Sequence, residues 1–421
     1  MRLICASSLS GLSAGTEYLL FVLFLIVFIG LAGFGITLPL FPFYADRLGA
    51  SPEIITLTVS AYSLGQFVAA PVWGRLSDSW GRKWVLVLTM LGSAVSYLML
   101  GYADELWILL ASRVFGGLMA GNIAAAFAYV TDISDEKSRG GAMGIISAAL
   151  GLGFMLGPAI GGFLAGNDMQ TADFMAPAVA AAAASIIAML GAIFMLPESL
   201  PEADRKPLFG SADTATESVS VFTRLRSRPV MLKLMVVAFL FYISMAMMEG
   251  IYPLWVYQLF GVGPVEIGYM FLMMGTITVF VQGFLMGKLV PVFGEKTLVI
   301  FASGAFMLGM IGFAASTSTW HAYASLAVFS VGTGFMNPGL SSLVSMTAAA
   351  DERGTVMGWF QSASALGRVV GPALAGPLYA QVAFGAPYVV GAIVIVPVIL
   401  LLVTVPIKGA SAESRGGVSQ P

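Results

Sequence analysis

The sequence has 421 residues, and only 10 % of them are charged, against roughly 25 % in an ordinary soluble domain. Hydrophobic residues make up 58 %, about 244 in number, which is enough for twelve bilayer-spanning helices of about 20 residues each. One histidine, one cysteine and a net charge of −2 exclude a metal site, a haem ligand set, a disulfide framework and a nucleic-acid surface, and no cofactor is expected.

Apolar runs separated by polar breaks predict twelve helices, which we number spans 1 to 12 in chain order. The runs lack the alternation of apolar and polar residues that is typical of a membrane β-barrel. The first run extends past Pro39 and Pro42 and is too long for a removed signal peptide. The predicted spans are residues 19–43, 54–73, 84–103, 106–130, 141–165, 174–196, 232–258, 265–287, 297–316, 320–345, 356–381 and 384–406.

The Lys and Arg residues predict the orientation of the chain, because cytoplasmic segments carry an excess of positive charge. Of 20 such residues, seventeen fall in inner segments when the amino terminus is placed inside. Arg47 alone falls in an outer loop, and Arg113 and Arg368 fall within spans. We therefore expect a multi-pass protein of the inner or plasma membrane with both termini in the cytoplasm.

A polar segment of mixed charge separates the spans into two sets of six. It begins with Pro197 and Pro201 and has the composition of a linker. The predicted organisation is an N-terminal six-helix bundle at 1–197, a cytoplasmic linker at 198–230, a C-terminal six-helix bundle at 231–406 and a cytoplasmic tail at 407–421.

The two sets of spans repeat each other at a fixed offset. Gly74–Lys83 after span 2 matches Gly287–Lys296 after span 8 at an offset of 213 residues. Gly157–Pro158 in span 5 matches Gly371–Pro372 in span 11 at an offset of 214 residues. A duplicated set of six helices has parallel topology, since six is even. Transporters built in this way bind their substrate between the halves near the midplane and rock one half against the other.

Four segments resemble motifs of the major facilitator superfamily, and within it of the twelve-span drug:proton antiporters. They are GFGITLPLFPFYADRLG at Gly33–Gly49, GRLSDSWGRK at Gly74–Lys83, LASRVFGGLMAG at Leu110–Gly121 and GLGFMLGPAIGG at Gly151–Gly162. The resemblance implies two parallel six-helix bundles around a central cavity. It also implies proton-coupled export of a drug or metabolite by alternating access.

The loop after span 2 is predicted to act as a cytoplasmic gate. Its carboxylate, Asp78, could reach a helix N-terminus or a cation across the seam between the halves and so stabilise the outward-open state. The second copy carries Pro291 and Val292 near that position, so only the first half supplies a gate carboxylate. The alternative is that these charges only set the topology. The gate residues are Gly74, Asp78, Gly81, Arg82 and Lys83.

The motif of span 5 combines small residues with a proline inside a helix. The proline introduces a kink, and the glycines allow a neighbouring helix to pack closely. The resemblance implies that antiport requires span 5 to bend without opening a leak. The alternative is that these residues serve helix packing alone. The residues concerned are Gly153, Gly157, Pro158, Gly161 and Gly162.

Arg113, Glu249 and Arg368 are the charged side chains that fall within predicted spans. Each costs roughly 2.5–3.5 kcal/mol at a helix centre, so each requires a partner or an aqueous cavity. Their mates in the repeat are Ala327, Gly35 and Phe154, so the duplication does not explain them.

Glu249 is the predicted site of proton coupling, or of binding to a cationic substrate. Low dielectric favours the protonated form of a carboxyl group, which can then take up and release protons as water access changes. Some drug exporters of the family carry an acid in span 7; others carry acids in span 1, which has none here between Glu17 and Asp46. The alternative is a structural pair with an arginine.

The two arginines stay charged at any relevant pH and cannot carry the proton themselves. Arg113 is expected to tune a nearby acid or to bind an anionic substrate group. Arg368 is expected to pair with Glu249 or to bind a substrate carboxylate. Hydrogen bonding to buried carbonyl groups is the structural alternative for both.

Uncharged polar residues within spans are candidates for the remainder of a substrate pocket. They are Tyr62, Gln66, Asn122, Tyr242, Tyr252, Gln282, Asn337 and Gln361. The conclusion from the sequence is a monomeric secondary transporter in the lipid bilayer, with a small-molecule substrate and protons as coupling ion. The alternatives are an importer or facilitator of a small anionic or polar metabolite and a non-transporting receptor or scaffold. No cluster of residues indicates an enzyme.

Overall fold

The computed structural model describes residues 14–135, 138–168, 171–205, 228–348 and 352–406, and within these ranges it contains helices and no β-strand. Ten helical segments are long and apolar enough to cross a membrane. Two more, Thr319–Met346 and Arg353–Gln381, are as long but more polar. The predicted all-α membrane fold is confirmed. Residues 206–227 of the predicted linker and the predicted tail at 407–421 lie outside the described ranges.

The observed helices follow the predicted spans closely. Spans 1, 4 and 8 each consist of two helices, and a π-helical turn, Val281–Leu285, joins the two of span 8. In chain order the helices are Ala14–Thr37 with Phe41–Arg47, Pro52–Trp80, Arg82–Gly101, Leu106–Leu118 with Asn122–Ile133, Arg139–Ala165, Met175–Met195, Pro229–Phe260, Pro264–Phe280 with Met286–Phe293, Glu295–Ala314, Thr319–Met346, Arg353–Gln381 and Ala386–Thr404.

Spans 2 and 4 show how the helices depart from their predicted course. Span 4 was expected to be continuous, but it breaks before Asn122. A side chain at Gly121 would collide with the indole ring of Trp73, whose Nε1 donates to the carbonyl of Leu118 at 2.6 Å. Span 2 continues beyond its predicted end to Trp80, because the residue that ends the helix is Gly81, which adopts a φ of +107°.

The repeat seen in the sequence is also present in the packing. Span 1 packs on spans 5 and 6, and span 7 packs on spans 11 and 12 in the same way. Contacts between spans 3 and 6 are likewise matched by contacts between spans 9 and 12. The halves meet through span 5 on span 8 and span 11 on span 2, so both seams obey the repeat as well.

The halves touch at one end of the molecule, which we call the Arg47 end because Arg47 lies there at the close of span 1. At this end the ring of Phe43 lies 5.6 Å from that of Tyr257 across the seam, centroid to centroid. A buried apolar cluster runs from Leu40 and Ile55 of one half to Leu254 of the other.

The opposite end, which we call the Arg82 end, is where spans 2 and 3 meet at Arg82. The first half has an apolar core of its own there, which includes Leu23, Val85 and Ile146. Gly144 of span 5 and Gly283 of span 8 face open space, with no atom within 4 Å of a side chain built at either position. The halves are therefore joined at the Arg47 end and apart at the Arg82 end.

Candidate functional site

A cavity of about 520 Å³ lies between the two halves. This volume falls within the roughly 300–1,000 Å³ that is typical of small-molecule sites. Its walls come from spans 1 to 5 of the first half and from spans 7, 8, 10 and 11 of the second. Because the halves are apart only at the Arg82 end, a molecule would reach the cavity from that end.

The three charges predicted to lie within the membrane all line this cavity. Arg113 comes from the first half, whereas Glu249 and Arg368 come from the second. Among the described residues, no ion pair within 4.0 Å includes any of the three. The predicted pair between Glu249 and Arg368 is thus not formed in this conformation, although Arg368 is the charge that acts on Glu249.

Arg368 is held by an aromatic ring instead. Its guanidinium carbon lies 4.7 Å from the ring centroid of Tyr242, which is within the range of a cation–π contact. The hydroxyl of Tyr242 in turn donates to Oδ1 of Asn337 at 3.0 Å. This chain of contacts keeps Arg368 away from the carboxylate and leaves Glu249 facing the cavity.

Arg113 lies at the part of the cavity nearest the Arg47 end, where its guanidinium carbon is 5.5 Å from the ring centroid of Phe41. It is only 4 % exposed, and its Nε and Nη2 atoms are buried without a hydrogen-bond partner. Tyr62 and Tyr97 line the same cavity.

Six of the eight predicted pocket residues line the cavity: Tyr62, Gln66, Asn122, Tyr242, Gln282 and Asn337. Tyr252 does not, because it is fully buried in an aromatic cluster and its hydroxyl contacts Sδ of Met270 at 3.3 Å. Gln361 is exposed and also lies away from the cavity. Sequence reasoning missed Tyr97 and several small polar residues that also line the cavity. The signal that could have found them is the same, an uncharged polar side chain within a predicted span. The small residues are Ser63, Ser93, Ser147, Thr278 and Thr333.

The predicted gate residues form contacts within the first half in this conformation. Arg82 pairs with Asp78 on the preceding turn and with Asp132 of span 4, at 3.1 Å. Nζ of Lys83 donates to the carbonyl of Ile193 at the end of span 6, at 2.7 Å. Gly74, which was also predicted to belong to the gate, faces open space.

Glu198 is a further residue of this region that sequence reasoning missed. Its carboxylate accepts from the backbone N–H groups of Arg82 at 2.8 Å and Lys83 at 3.2 Å, and so caps the first turn of span 3. A side chain at Gly81 would occupy the position of this carboxylate. The contact joins residues more than 100 positions apart, so no local pattern indicates it.

The glycines of the span-5 motif face two different neighbours. Side chains at Gly153, Gly157 and Gly161 would collide with the backbone of span 1, the first two approaching carbonyl oxygens at 2.8 and 2.7 Å. A side chain at Gly162 would instead meet the backbone of Pro264 in span 8. The face of span 5 that carries Gly153, Gly157 and Gly161 therefore packs within the first half, whereas Gly162 lies at the seam between the halves.

The family model of the Major Facilitator Superfamily matches residues 23–372 and 284–419 of this chain. The chain belongs to the Major Facilitator Superfamily. Tetracycline resistance protein, class C, of Escherichia coli is 29 % identical over 389 residues, which cover 91 % of this chain and 94 % of that protein. Multidrug resistance protein 2 of Bacillus subtilis (strain 168) is 29 % identical over 358 residues, covering 84 % and 86 %.

Among solved structures, the human organic anion transporter MFSD10 is similar in fold, with a TM-score of 0.70 and 25 % sequence identity. The match covers 93 % of this chain and 100 % of that one. The resemblance to the drug:proton antiporter subfamily of the superfamily is thereby confirmed. This superfamily member is a multi-pass membrane transporter of small molecules and not an enzyme.

Proposed function

We propose that this protein exports amphiphilic drugs or small metabolites in exchange for protons, by alternating access to the central cavity. The observation that carries the proposal is that Glu249 is the one carboxylate lining that cavity within the described chain. A proton-coupled carrier needs a titratable group that faces the substrate site, and the two arginines there keep their charge at any relevant pH.

The coupling mechanism follows from the surroundings of Glu249. When the cavity is dry, the low dielectric disfavours the charged carboxylate, and when water enters, the charged form is stabilised. A protonated Glu249 allows the halves to rock, and an ionised Glu249 attracts the next proton or a cationic substrate group. Since Arg368 is held by Tyr242 and forms no ion pair with Glu249, the carboxylate can take up and release a proton without breaking an ion pair.

The direction of transport follows from the proposed orientation. We place the Arg82 end in the cytoplasm, because this end carries most of the Lys and Arg residues. The cavity then faces the cytoplasm in this conformation, ready to take up a substrate. Two relatives bear the names tetracycline and multidrug resistance proteins, which supports export through the cell membrane. We propose that the protein works as a monomer, with residues 198–230 as a linker between the bundles at 1–197 and 231–406 and a cytoplasmic tail at 407–421.

The gate at the Arg82 end is proposed to stabilise the opposite conformation. Asp78 is 42 % exposed and contacts only its own half while the halves are apart. When the halves close at this end, its carboxylate can reach a helix N-terminus of the second half. Span 5, with Pro158 inside the helix and Gly162 at the seam, would then transmit the rocking motion without opening a leak.

The test is flux in everted membrane vesicles with an acidic interior, using a panel of amphiphilic probes that begins with tetracycline. Wild-type vesicles should accumulate at least one probe, and a protonophore should abolish the accumulation. Glu249→Gln should lower it to the level of vesicles without the protein, because the glutamine cannot carry a proton. Glu105→Gln, which alters an exposed loop, should leave it unchanged. Flux that ignores both the gradient and the change at Glu249 would refute proton coupling through this residue.

A second candidate function is import or facilitation of a small anionic metabolite. It is favoured by the two arginines of the cavity, against one carboxylate. The similarity to an organic anion transporter points the same way. In this case the anionic probes of the panel would equilibrate across the vesicle membrane without a pH gradient.

A further inference from the structure

Arg113 is a buried cation that forms no ion pair with any carboxylate among the residues that the structure describes. It is only 4 % exposed, and two of its guanidinium nitrogens, Nε and Nη2, have no hydrogen-bond partner. Tyr62 and Tyr97 line the same cavity as Arg113. The carboxylate that lines the cavity, Glu249, forms no ion pair with Arg113 within 4.0 Å. A buried charge without compensation is strongly unfavourable, so an anionic group from outside the chain is expected beside Arg113.

The surroundings of Arg113 hold it in place. Span 2 approaches span 4 so closely that a side chain at Gly117 would collide with the backbone of Tyr62. This contact brings the ring of Tyr62 to one wall of the cavity, where it stacks on Phe34 with centroids 5.3 Å apart. Phe41 covers the guanidinium from the Arg47 end. The cation is therefore preorganised rather than free to move to another partner.

We propose that Arg113, with Tyr62 and Tyr97, binds an anionic group of the substrate, such as a carboxylate or a sulfonate. The guanidinium offers parallel N–H donors that match the two oxygens of such a group, and phenol hydroxyls add further donors. This proposal rests on the proposed function in that it takes the cavity as the substrate site. It narrows the substrates to amphiphiles that carry a negative charge.

The apolar part of such an amphiphile has a matching surface next to Arg113. Phe34, Leu38 and Phe41 line the same region of the cavity and present flat or branched apolar groups. An aromatic acid would place its ring against them and its anionic group on the guanidinium. The two features together select a negatively charged aromatic molecule over its neutral analogue.

The test is equilibrium binding of 2-naphthoate and of 2-naphthamide to the full-length protein in phosphatidylcholine nanodiscs, measured by calorimetry. The two probes share their ring system and differ by the charge. Wild-type protein should bind 2-naphthoate about tenfold more tightly, since a hydrogen-bonded charge is lost in the amide. Equal affinities, or no binding of 2-naphthoate, would overturn the proposal without any variant.

Variants assign the preference to a residue. Arg113→Gln should bind both probes equally, whereas Arg113→Lys, which keeps the charge, should retain part of the preference. Arg353→Gln removes an exposed arginine outside the cavity and should behave as wild type. If the preference survives in Arg113→Gln and is lost in Arg368→Gln, the anion site is not at Arg113. Because binding needs no pH gradient, the anion preference can be measured even if proton-coupled export fails. In the same way, a missing anion preference would leave the result of the flux experiment unchanged.

Discussion

Two lysines at equivalent positions of the repeat make equivalent hydrogen bonds to helix ends in the two halves. Nζ of Lys83 donates to the carbonyl of Ile193 near the end of span 6. Nζ of Lys296, 213 positions later, donates to the carbonyls of Val403 and Val405 at the end of span 12, at 2.9 and 2.7 Å. A cation at a helix C-terminus satisfies carbonyl groups that have no partner within the helix. Lys83 thus has a structural role that the gate hypothesis does not require.

Asp78, by contrast, has no acidic counterpart in the second half, so its proposed role in the gate can be tested by itself. Asp78→Asn should lower the transport rate roughly two- to fivefold, the range of a carboxylate's interaction with a helix N-terminus. The amount of folded protein in the membrane should not change, because Arg82 keeps its pair with Asp132. Asp104→Asn, at an exposed position near the opposite end, is the matched control. An Asp78→Asn protein that transports at the wild-type rate would show that the charge serves topology alone.

The sequence located the charges of the site but not their partners. Three charged residues in apolar spans predicted a shared polar site, and the structure brings all three to one cavity. Their pairing depends on distances across spans, which no local pattern encodes. The sequence also placed Tyr252 in the pocket, because it does not show which way a side chain within a span faces. In the structure the ring of Tyr252 packs among buried aromatic residues such as Phe313.

At the scale of helices, spans 5 and 11 illustrate how glycines define two kinds of contact. Gly371 of span 11 packs against the backbone of span 7, as Gly157 of span 5 packs against span 1. Gly376 meets the backbone of span 2 at the seam, as Gly162 meets that of span 8. The helix contacts therefore repeat at the offset of 214 residues that the sequence shows.

The close approach of spans 1 and 5 predicts opposite effects of one substitution at two positions. Gly161→Ala should destabilise the protein by about 1–3 kcal/mol, because the new methyl group collides with the carbonyl of Ile36. Gly144→Ala, in the same helix but facing open space, should stabilise it by about 0.5–1 kcal/mol through helix propensity. Thermal unfolding of the purified proteins, followed by tryptophan fluorescence, measures both. If Gly161→Ala unfolds no earlier than Gly144→Ala, the described packing of span 1 on span 5 is wrong.

Hydropathy predicted which segments are helices better than where they are interrupted. The run of span 4 is predominantly apolar on both sides of residue 121, so its hydropathy does not indicate the break before Asn122. The break depends on Trp73 of another span, which inserts against Gly121 and donates to a carbonyl of span 4. Conversely, the end of span 2 is polar, but its residues continue the helix until Gly81. Tertiary contacts and positive φ angles decide such boundaries.

At the scale of the whole molecule, the halves are joined at the Arg47 end and apart at the Arg82 end. The buried apolar cluster that crosses the seam stabilises the contact at the Arg47 end. At the Arg82 end the first half has a core of its own, so the halves can separate there without exposing it. Alternating access requires that the two ends exchange these roles.

The orientation and the open end can be tested together with a single cysteine. Ser147 lines the cavity and is exposed. In a protein that carries Cys5→Ser and Ser147→Cys, a membrane-impermeant maleimide should label everted vesicles rapidly and intact cells poorly. The parent with Cys5→Ser alone should not be labelled. Faster labelling in intact cells would mean that the Arg82 end faces the outside.

The most direct test of proton-coupled alternating access compares two transport modes in one preparation of proteoliposomes. For a probe that the wild-type protein transports, uptake driven by a pH gradient is measured beside counterflow exchange at equal pH on both sides. The account predicts that Glu249→Gln loses gradient-driven uptake and retains counterflow, because the halves still rock with substrate bound but no proton is carried. Gradient-driven uptake at the wild-type rate in Glu249→Gln would contradict it.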